Sequence, residues 1–375
     1  MGITKVVYHE SGASYKILAQ KFDVFSTFCY HWNMQTQEIP TAGWDIIGHT
    51  HAIDMLRRVL IAQQVRHAYL FTGPQHIGKM LLTQRLAQTL LCTGGPDPQI
   101  APPDPCNTCL ACRKVRHNNH PDVHFISRAA DKQFILIEQI RALQSDTARR
   151  KLEGRRNVFI IQNAHEMNIQ SANCLLKTLE EPEQDVVLLL TVPDAGLLLP
   201  TIISRVQQIS MQLLTTEQIR TALVQQWDVV PKEAELIAAL AAGRMGWAIQ
   251  AVENEDLLDE RKAQLELLTK IPSANRVQRF ELAQRLSADA AKVQEMLELW
   301  LLWWRDLVLA ANGCLDLTAN VDMRTLLKTQ AAKLGSAEAE RMVRTILQTM
   351  EFIEQNVNTR VALEVLMLDV PMLKM

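Results

Sequence analysis

A glycine-rich segment that ends in a lysine constrains the fold of this chain more than any other feature of the sequence. Residues 73–80 read Gly-Pro-Gln-His-Ile-Gly-Lys-Met and fit the pattern G-x4-G-K of a phosphate-binding loop. The segment lies between an apolar stretch at 68–72 and an amphipathic stretch at 79–91. A phosphate-binding loop requires this strand-to-helix context. Because further short apolar strands alternate with helical patterns, we expect an α/β phosphate-loop domain with a parallel sheet covered on both faces.

The same loop departs from the pattern at the position that should bind magnesium. Backbone N–H groups from Gly73 to Gly78 and the helix N-terminus can attract phosphates, and Lys79 adds a positive charge. The next residue should offer a hydroxyl, but Met80 offers a soft thioether, whereas Mg²⁺ prefers hard oxygens. Binding of ATP or ADP therefore stays open, and we expect Mg²⁺ binding to be impaired.

A later strand, predicted at 158–162, ends in amides where ATP-hydrolysing proteins carry acids. At these positions one carboxylate holds Mg²⁺ through water and the next polarises the attacking water. Here the residues are Gln162 and Asn163, which carry no negative charge. Together with Met80, this means that the residue types needed for hydrolysis are missing at all of these positions. A phosphate-loop fold that has lost hydrolysis explains this better than a series of coincidences.

Four cysteines fall within 21 positions at spacings typical of a metal site: Cys92, Cys106, Cys109 and Cys112. Four thiolates suit tetrahedral Zn²⁺, and because they leave no open position we expect the metal to be structural. Since the sequence begins with no export-signal pattern, this spacing favours a metal over disulfides. The alternative is four reduced cysteines in a loop. We expect Cys174 and Cys314 to belong to the apolar core.

Composition limits what else the chain can be. Its 375 residues are 48% hydrophobic and 21% charged, with a net charge of −2, which excludes a disordered chain. Near-neutral charge argues against a free-standing, strongly basic DNA-binding protein, although a local basic face is allowed. No apolar run approaches the roughly 18–20 residues of a membrane span. We therefore expect a cytoplasmic protein without a membrane segment.

Changes in patterning divide the chain into an N-terminal extension and three domains. Residues 1–43 match none of the later patterns, and two interpretations stay open: translation from Met34, which we favour, or an ordered extension. After them, strands alternate with helices up to about residue 212, and the rest of the chain is helical. We predict a nucleotide-binding domain at 44–212 with a zinc module at 92–112, a helical lid at 213–272 and an all-helical collar at 273–375.

Two further segments complete a family resemblance. Residues 173–182 read Asn-Cys-Leu-Leu-Lys-Thr-Leu-Glu-Glu-Pro, and residues 204–206 read Ser-Arg-Val. With the opening Trp-Asp-Ile-Ile-Gly-His at 44–49, the phosphate loop and the cysteine module, these resemble the bacterial DNA polymerase III clamp-loader subunits of the AAA+ superfamily. The resemblance covers about 44–370. It implies a sensor-1 position at Thr191 and a Ser-Arg-Cys motif around Arg205, with valine in place of the cysteine.

The departures from the family pattern indicate the kind of subunit. The motor subunit, gamma/tau, keeps the hydrolytic residues and a sensor-2 arginine, where this sequence has Gly246. Lost hydrolytic residues beside a retained Arg205 resemble delta prime, the stator-like subunit. This resemblance implies that Arg205 acts as a trans arginine finger on the ATP of a neighbouring motor subunit. It also implies gamma/tau and delta as partners, the sliding clamp as an indirect partner, primer–template DNA within the complex, and no ATPase activity of the isolated chain.

Two other functions stay open. One is an active gamma/tau-like ATPase with unconventional ligands, which would hydrolyse ATP alone. The other is a repair or recombination AAA+ protein, which would bind primer–template DNA without other subunits. The basic residues at 149–151 and 155–156 are best interpreted as a solvated face, with a contact to DNA phosphates as the alternative.

Overall fold

The structure is a computed structural model. The predicted N-terminal extension at 1–43, with its alternative start at Met34, lies outside the described residues except for Gly43. All described residues belong to one compact unit. These residues are 43–129, 132, 134–254, 256–288, 290–355 and 357–372.

A five-stranded parallel sheet forms the centre of the first half of the described chain. Its strands lie in the order β2-β3-β4-β1-β5. The three inner strands, β3, β4 and β1, are buried along their whole length. Parallel strands reach such burial because helices cover both faces of the sheet, so the predicted fold class is confirmed. The strands are β1 (Ala68–Thr72), β2 (Val123–Ile126), β3 (Asn157–Ile161), β4 (Val186–Val192) and β5 (Gln207–Ser210).

Each face of this sheet has its own hydrophobic core. Side chains alternate along β1, so Tyr69 and Phe71 join the core on one face while Leu70 joins the core on the other. The helices around the sheet are α1 (Thr50–Ile61), α2 (Lys79–Leu91), α3 (Leu110–Arg116), α4 (Ile137–Thr147), α5 (Ile169–Glu180) and the one-turn α6 (Pro200–Ile203).

The second half of the described chain is helical and has two further cores. Thr215 and Gln218 form a reciprocal capping box at the start of this part, as their spacing predicts. The three domains and their boundaries stay predictions. The helices are α7 (Thr216–Gln226), α8 (Pro231–Ala241), α9 (Met245–Glu253), α10 (Asp256–Lys270), α11 (Arg276–Leu286), α12 (Ala290–Ala311), α13 (Arg324–Glu354) and α14 (Thr359–Asp369).

One expectation about the core is wrong. Cys314 is exposed in the turn that follows α12, because Gly313, at a φ of 79°, ends the helix before the cysteine can reach the apolar face. Cys174 lies half-buried on α5, where its thiol contacts Gln144. In the part of the chain that the structure describes, no helix combines the length and apolar character needed to cross a membrane.

Candidate functional site: a closed phosphate loop, a distant arginine and a cysteine cluster

The glycine-rich loop connects the carboxyl end of β1 to the start of α2. Gly73 and Gly78 have φ values of 147° and 107°, which side-chain-bearing residues rarely adopt. Lys79, the first residue of α2, is buried, and its Nζ donates to the carbonyl oxygens of Gly73 at 2.6 Å and Pro74 at 2.7 Å. Burial lowers the pKa of this ammonium group to about 8. The lysine therefore bonds the loop itself.

The start of α9 closes the loop from the other side. The backbone N–H of Gly246 donates to the carbonyl oxygen of His76 at 2.7 Å. A Cβ at position 246 would lie 2.6 Å from that oxygen, so only glycine fits. On the same segment, Arg244 forms an ion pair with Glu298 of α12 at 3.5 Å. A helix N-terminus can bind phosphate through its free N–H groups. At the start of α9 one such group, the Gly246 N–H, already donates to the backbone of the loop.

The residues after β3 and near the end of β4 lie at the same edge of the sheet as the loop. The backbone N–H of Asn163 donates to the Thr191 hydroxyl at 3.0 Å, and Asn163 itself has a φ of 51°. Gln162 is exposed and extends the β3 ladder with an N–H bond to the Ile126 carbonyl. Met80 is half-buried, and its sulfur accepts from the Thr83 hydroxyl at 3.6 Å. The structure therefore brings together the predicted nucleotide-binding and lost hydrolytic positions.

Arg205 lies at the opposite end of the sheet. It precedes β5, whose first residue, Gln207, pairs in parallel with Tyr69 near the start of β1. The arginine therefore lies at the amino end of the strands, whereas the loop follows their carboxyl end; the four residues from Tyr69 to Gly73 alone span roughly 13 Å at about 3.3 Å per residue. Its guanidinium group forms an ion pair with Glu180 at 2.8 Å. The structure does not bring Arg205 to the chain's own phosphate loop.

The four cysteines Cys92, Cys106, Cys109 and Cys112 form a cluster that could hold a metal ion. Their sulfur atoms all lie within 4.8 Å of one another, and two sulfur pairs are 4.0 Å apart. A tetrahedron with metal–sulfur bonds of about 2.3 Å places sulfurs about 3.8 Å apart, so the geometry fits. The Cys112 thiol, together with the N–H groups of Cys106 and Gly94, lowers the pKa of Cys92 to about 4.

Hydrogen bonds to the rest of the chain hold the cysteine loop, residues 92–112, in place. Arg155 donates to the carbonyl oxygens of Cys92 and, at 2.8 Å, Pro98. The indole N–H of Trp44, a buried core residue, donates to the Pro103 carbonyl at 3.2 Å. Asn107 donates to the Gly43 carbonyl at 2.6 Å. The loop is thus fastened both to the start of the described chain and to the segment before β3.

The segment before β3 is shaped by a buried acid that sequence reasoning missed. One or other carboxylate oxygen of Asp122 accepts backbone N–H bonds from Leu152 at 2.7 Å, Glu153 at 2.8 Å and Gly154 at 2.5 Å. This fixes a turn and directs Arg155 towards the cysteines. The interpretation of 149–151 and 155–156 as a solvated face is therefore wrong for Arg155, because its guanidinium group bonds carbonyl oxygens of the cysteine loop. The sequence around Asp122, which follows the buried His120 by two residues, carries no local signal for its hydrogen bonds to residues 152–154.

Comparison with known proteins identifies the family. Residues 48–215 match the family described as DNA polymerase III, delta subunit. The chain is 30% identical over 309 residues to the DNA polymerase III subunit delta' of Bacillus subtilis (strain 168), covering 81% of this chain and 91% of that protein. This chain belongs to the delta' family of DNA polymerase III subunits. The family resemblance drawn from the sequence motifs is confirmed.

Other relatives of this delta' family member include a second delta' subunit and a tau subunit. Identity to the delta' subunit of Pseudomonas aeruginosa is 38% over 145 residues, 39% of this chain and 43% of that protein. Identity to the tau subunit of Escherichia coli (strain K12) is 30% over 245 residues, 64% of this chain but 34% of tau. The chain thus spans about a third of that tau relative. A solved gamma subunit-related protein from Thermotoga maritima is similar with a TM-score of 0.45 and 15% identity, covering 85% of this chain and 98% of that one.

Proposed function

We propose that this chain is the non-hydrolysing, stator-like subunit of a cytoplasmic sliding-clamp loader in DNA replication. In this role it presents Arg205 as a trans arginine finger to the ATP of an adjacent motor subunit. The observation that carries the proposal is that the chain's own groups bond the backbone of its phosphate loop. The Lys79 ammonium group donates to two loop carbonyls, and the Gly246 N–H of α9 donates to the His76 carbonyl.

A nucleotide would have to displace the Lys79 contacts before it could use that ammonium group, which already has two carbonyl partners. The loop would also have to accept the phosphates while the Gly246 N–H of α9 bonds its His76 carbonyl. The two positions directly after β3, where ATP-hydrolysing proteins carry the acids that hold Mg²⁺ and polarise water, are Gln162 and Asn163, which have no carboxylate. We therefore infer that the isolated chain does not hydrolyse ATP. We also infer that ATP or ADP binds weakly.

Arg205 has the position and exposure that a trans-acting arginine requires. It lies far from its own loop, its side chain is 35% exposed, and α6 and β5 fix its backbone. In related phosphoryl-transfer reactions, an arginine supplied by a neighbouring protein stabilises the charge on the transferred phosphoryl group and contributes about 10³–10⁵ in rate. Since a relative covered over 91% of its length is named a delta' subunit and others tau or gamma, we propose gamma/tau as the neighbour.

The remaining proposed partners follow from membership of the delta' family. They are the delta subunit, the sliding clamp as an indirect partner, and primer–template DNA within the complex.

We propose that the cysteine cluster holds structural Zn²⁺. All four ligand positions come from the chain, so the metal would have no open site for chemistry. The metal would fix the shape of the loop at 92–112, so that its carbonyl groups stay in place for the hydrogen bonds from Trp44 and Arg155.

Steady-state ATP hydrolysis tests the proposed function. The purified chain is assayed alone and then with the motor subunit, the delta subunit, the clamp and primed DNA. We expect no turnover by the chain alone, and turnover in the mixture that falls by at least about 10²-fold with Arg205→Ala while the complex still assembles on size-exclusion chromatography. Unchanged turnover with Arg205→Ala would remove the finger role. Turnover by the chain alone that Lys79→Ala abolishes would instead indicate a gamma/tau-like ATPase.

A further inference from the structure

The last residue of α5, Glu180, contacts the arginine of the proposed finger. One carboxylate oxygen, Oε1, lies 2.8 Å from Nη2 of Arg205. The other terminal nitrogen, Nη1, donates to the Thr201 carbonyl at 2.9 Å and to the Ser204 hydroxyl at 3.3 Å. Two hydrogen bonds and one ion pair within the same chain therefore hold one guanidinium group.

This ion pair makes little sense as a stabilising device. A carboxylate at a helix C-terminus is disfavoured by the helix dipole, and Glu180 is the final residue of α5. Both side chains are substantially exposed, at 35% for Arg205 and 49% for Glu180, and exposed ion pairs contribute little to folding. The placement of an acid here is better explained by what it does to Arg205.

The elements that carry the two residues are held rigidly against each other. Leu179, next to Glu180, and Ile202, on the one-turn helix before Arg205, are buried in the same hydrophobic core. Val206, which follows the arginine, packs against that core. The distance between the two backbones is therefore set by core packing, so the carboxylate meets the guanidinium group in a defined place.

We propose that Glu180 is a positioning residue that holds Arg205 ready for the neighbouring nucleotide; this rests on the proposed finger function. An arginine side chain with four rotatable bonds loses much conformational entropy when it is ordered. Here that ordering is completed within the subunit before the neighbour's ATP arrives. Both hydrogen bonds use Nη1, which leaves the N–H groups of Nε and Nη2 for the oxygens of a phosphate.

The same contact could act in the opposite direction, since a carboxylate and a phosphate compete for one guanidinium group. The geometry favours positioning. The carboxylate pairs with the guanidinium group by charge, and the structure shows no hydrogen bond between Glu180 and Arg205, so the pair does not form the bidentate arrangement that would cover an edge of the guanidinium group. Loss of Glu180 should therefore slow the reaction of the neighbour rather than accelerate it.

The test is ATP turnover by the complete complex of this chain with the motor and delta subunits, clamp and primed DNA. We expect Glu180→Ala to lower kcat about 3- to 10-fold with the KM for ATP and complex assembly unchanged, because Thr201 and Ser204 still hold part of the guanidinium group. Glu180→Asp should recover part of the loss. Glu181→Gln is the matched control: this neighbouring glutamate is exposed and forms no ion pair with any described residue.

An Arg205→Ala background separates positioning from other roles of the glutamate. If Glu180 acts through Arg205, Glu180→Ala has no further effect once the arginine is gone. Turnover that is unchanged or faster with Glu180→Ala, while Arg205→Ala abolishes it, overturns the positioning role and leaves the finger intact. A loss of the same size that persists in the Arg205→Ala background also overturns it. Full turnover with Arg205→Ala alone removes the finger and the positioning role together.

Discussion

Replacing Gly246 with alanine should release α9 from the phosphate loop. The new Cβ would lie 2.6 Å from the carbonyl oxygen of His76 and 3.2 Å from its carbonyl carbon. Both are backbone atoms, so neither can rotate away, and α9 itself has to shift. The shift breaks the 2.7 Å hydrogen bond from the Gly246 N–H, worth about 0.5–1.5 kcal/mol net, and disturbs packed neighbours. We expect a local destabilisation of about 1–3 kcal/mol.

Helix propensity alone predicts the opposite sign. Alanine is favoured over glycine in helices by up to about 1 kcal/mol, so without the close contact the substitution would stabilise α9. Hydrogen exchange of the α9 amides distinguishes the two outcomes, because it reports local opening without requiring two-state unfolding of the chain. A loss of 1–3 kcal/mol accelerates exchange about 5- to 150-fold.

Gly95→Ala is the matched control, since a Cβ there would meet its nearest neighbour, Pro102, at an ordinary 3.5 Å. Slower or unchanged exchange in Gly246→Ala would refute the close contact between α9 and the loop.

Two further predictions concern the cysteine loop and the turn beside it. Protein purified without chelator should contain one zinc per chain. Cys112→Ser should release the metal and expose residues 92–112 and 149–156 to proteolysis. Wild-type protein that contains no metal would contradict this prediction. Asp122→Asn should cost about 1.5–3 kcal/mol, because three N–H groups lose a charged acceptor. Burial acts to raise the pKa of Asp122, but the N–H groups of Leu152, Glu153 and Gly154 outweigh it and hold the pKa below its usual value. The carboxylate therefore contributes stability above about pH 4, and that contribution is lost as the pH falls through the lower pKa of the folded state. The gap between the urea midpoints of wild type and Asp122→Asn should narrow in acid, and a gap that stays constant to pH 2 would contradict the role of the charge.

Local sequence signals predicted the elements that depend on local chemistry. Continuous apolar runs indicated the buried strands β1, β3 and β4, and Thr215 with Gln218 marked the start of α7. Short cysteine spacings predicted a cluster whose sulfurs do meet. These succeed because burial, capping and chelation are decided by residues a few positions apart. The error at Cys314 came from extending a helical pattern past Gly313, where the left-handed backbone ends it.

The sequence alone determined that this chain lacks the groups that hydrolysis requires, because it has Met80, Gln162 and Asn163 at their positions. No packing can convert a thioether or an amide into a hard anionic ligand. Tertiary structure alone decided that Gly246 closes the phosphate loop and that Glu180 meets Arg205. Such contacts join segments distant in sequence, as Arg155 and Cys92 do across 63 positions. Their formation depends on how the sheet and the helices pack, which no local pattern of residues encodes.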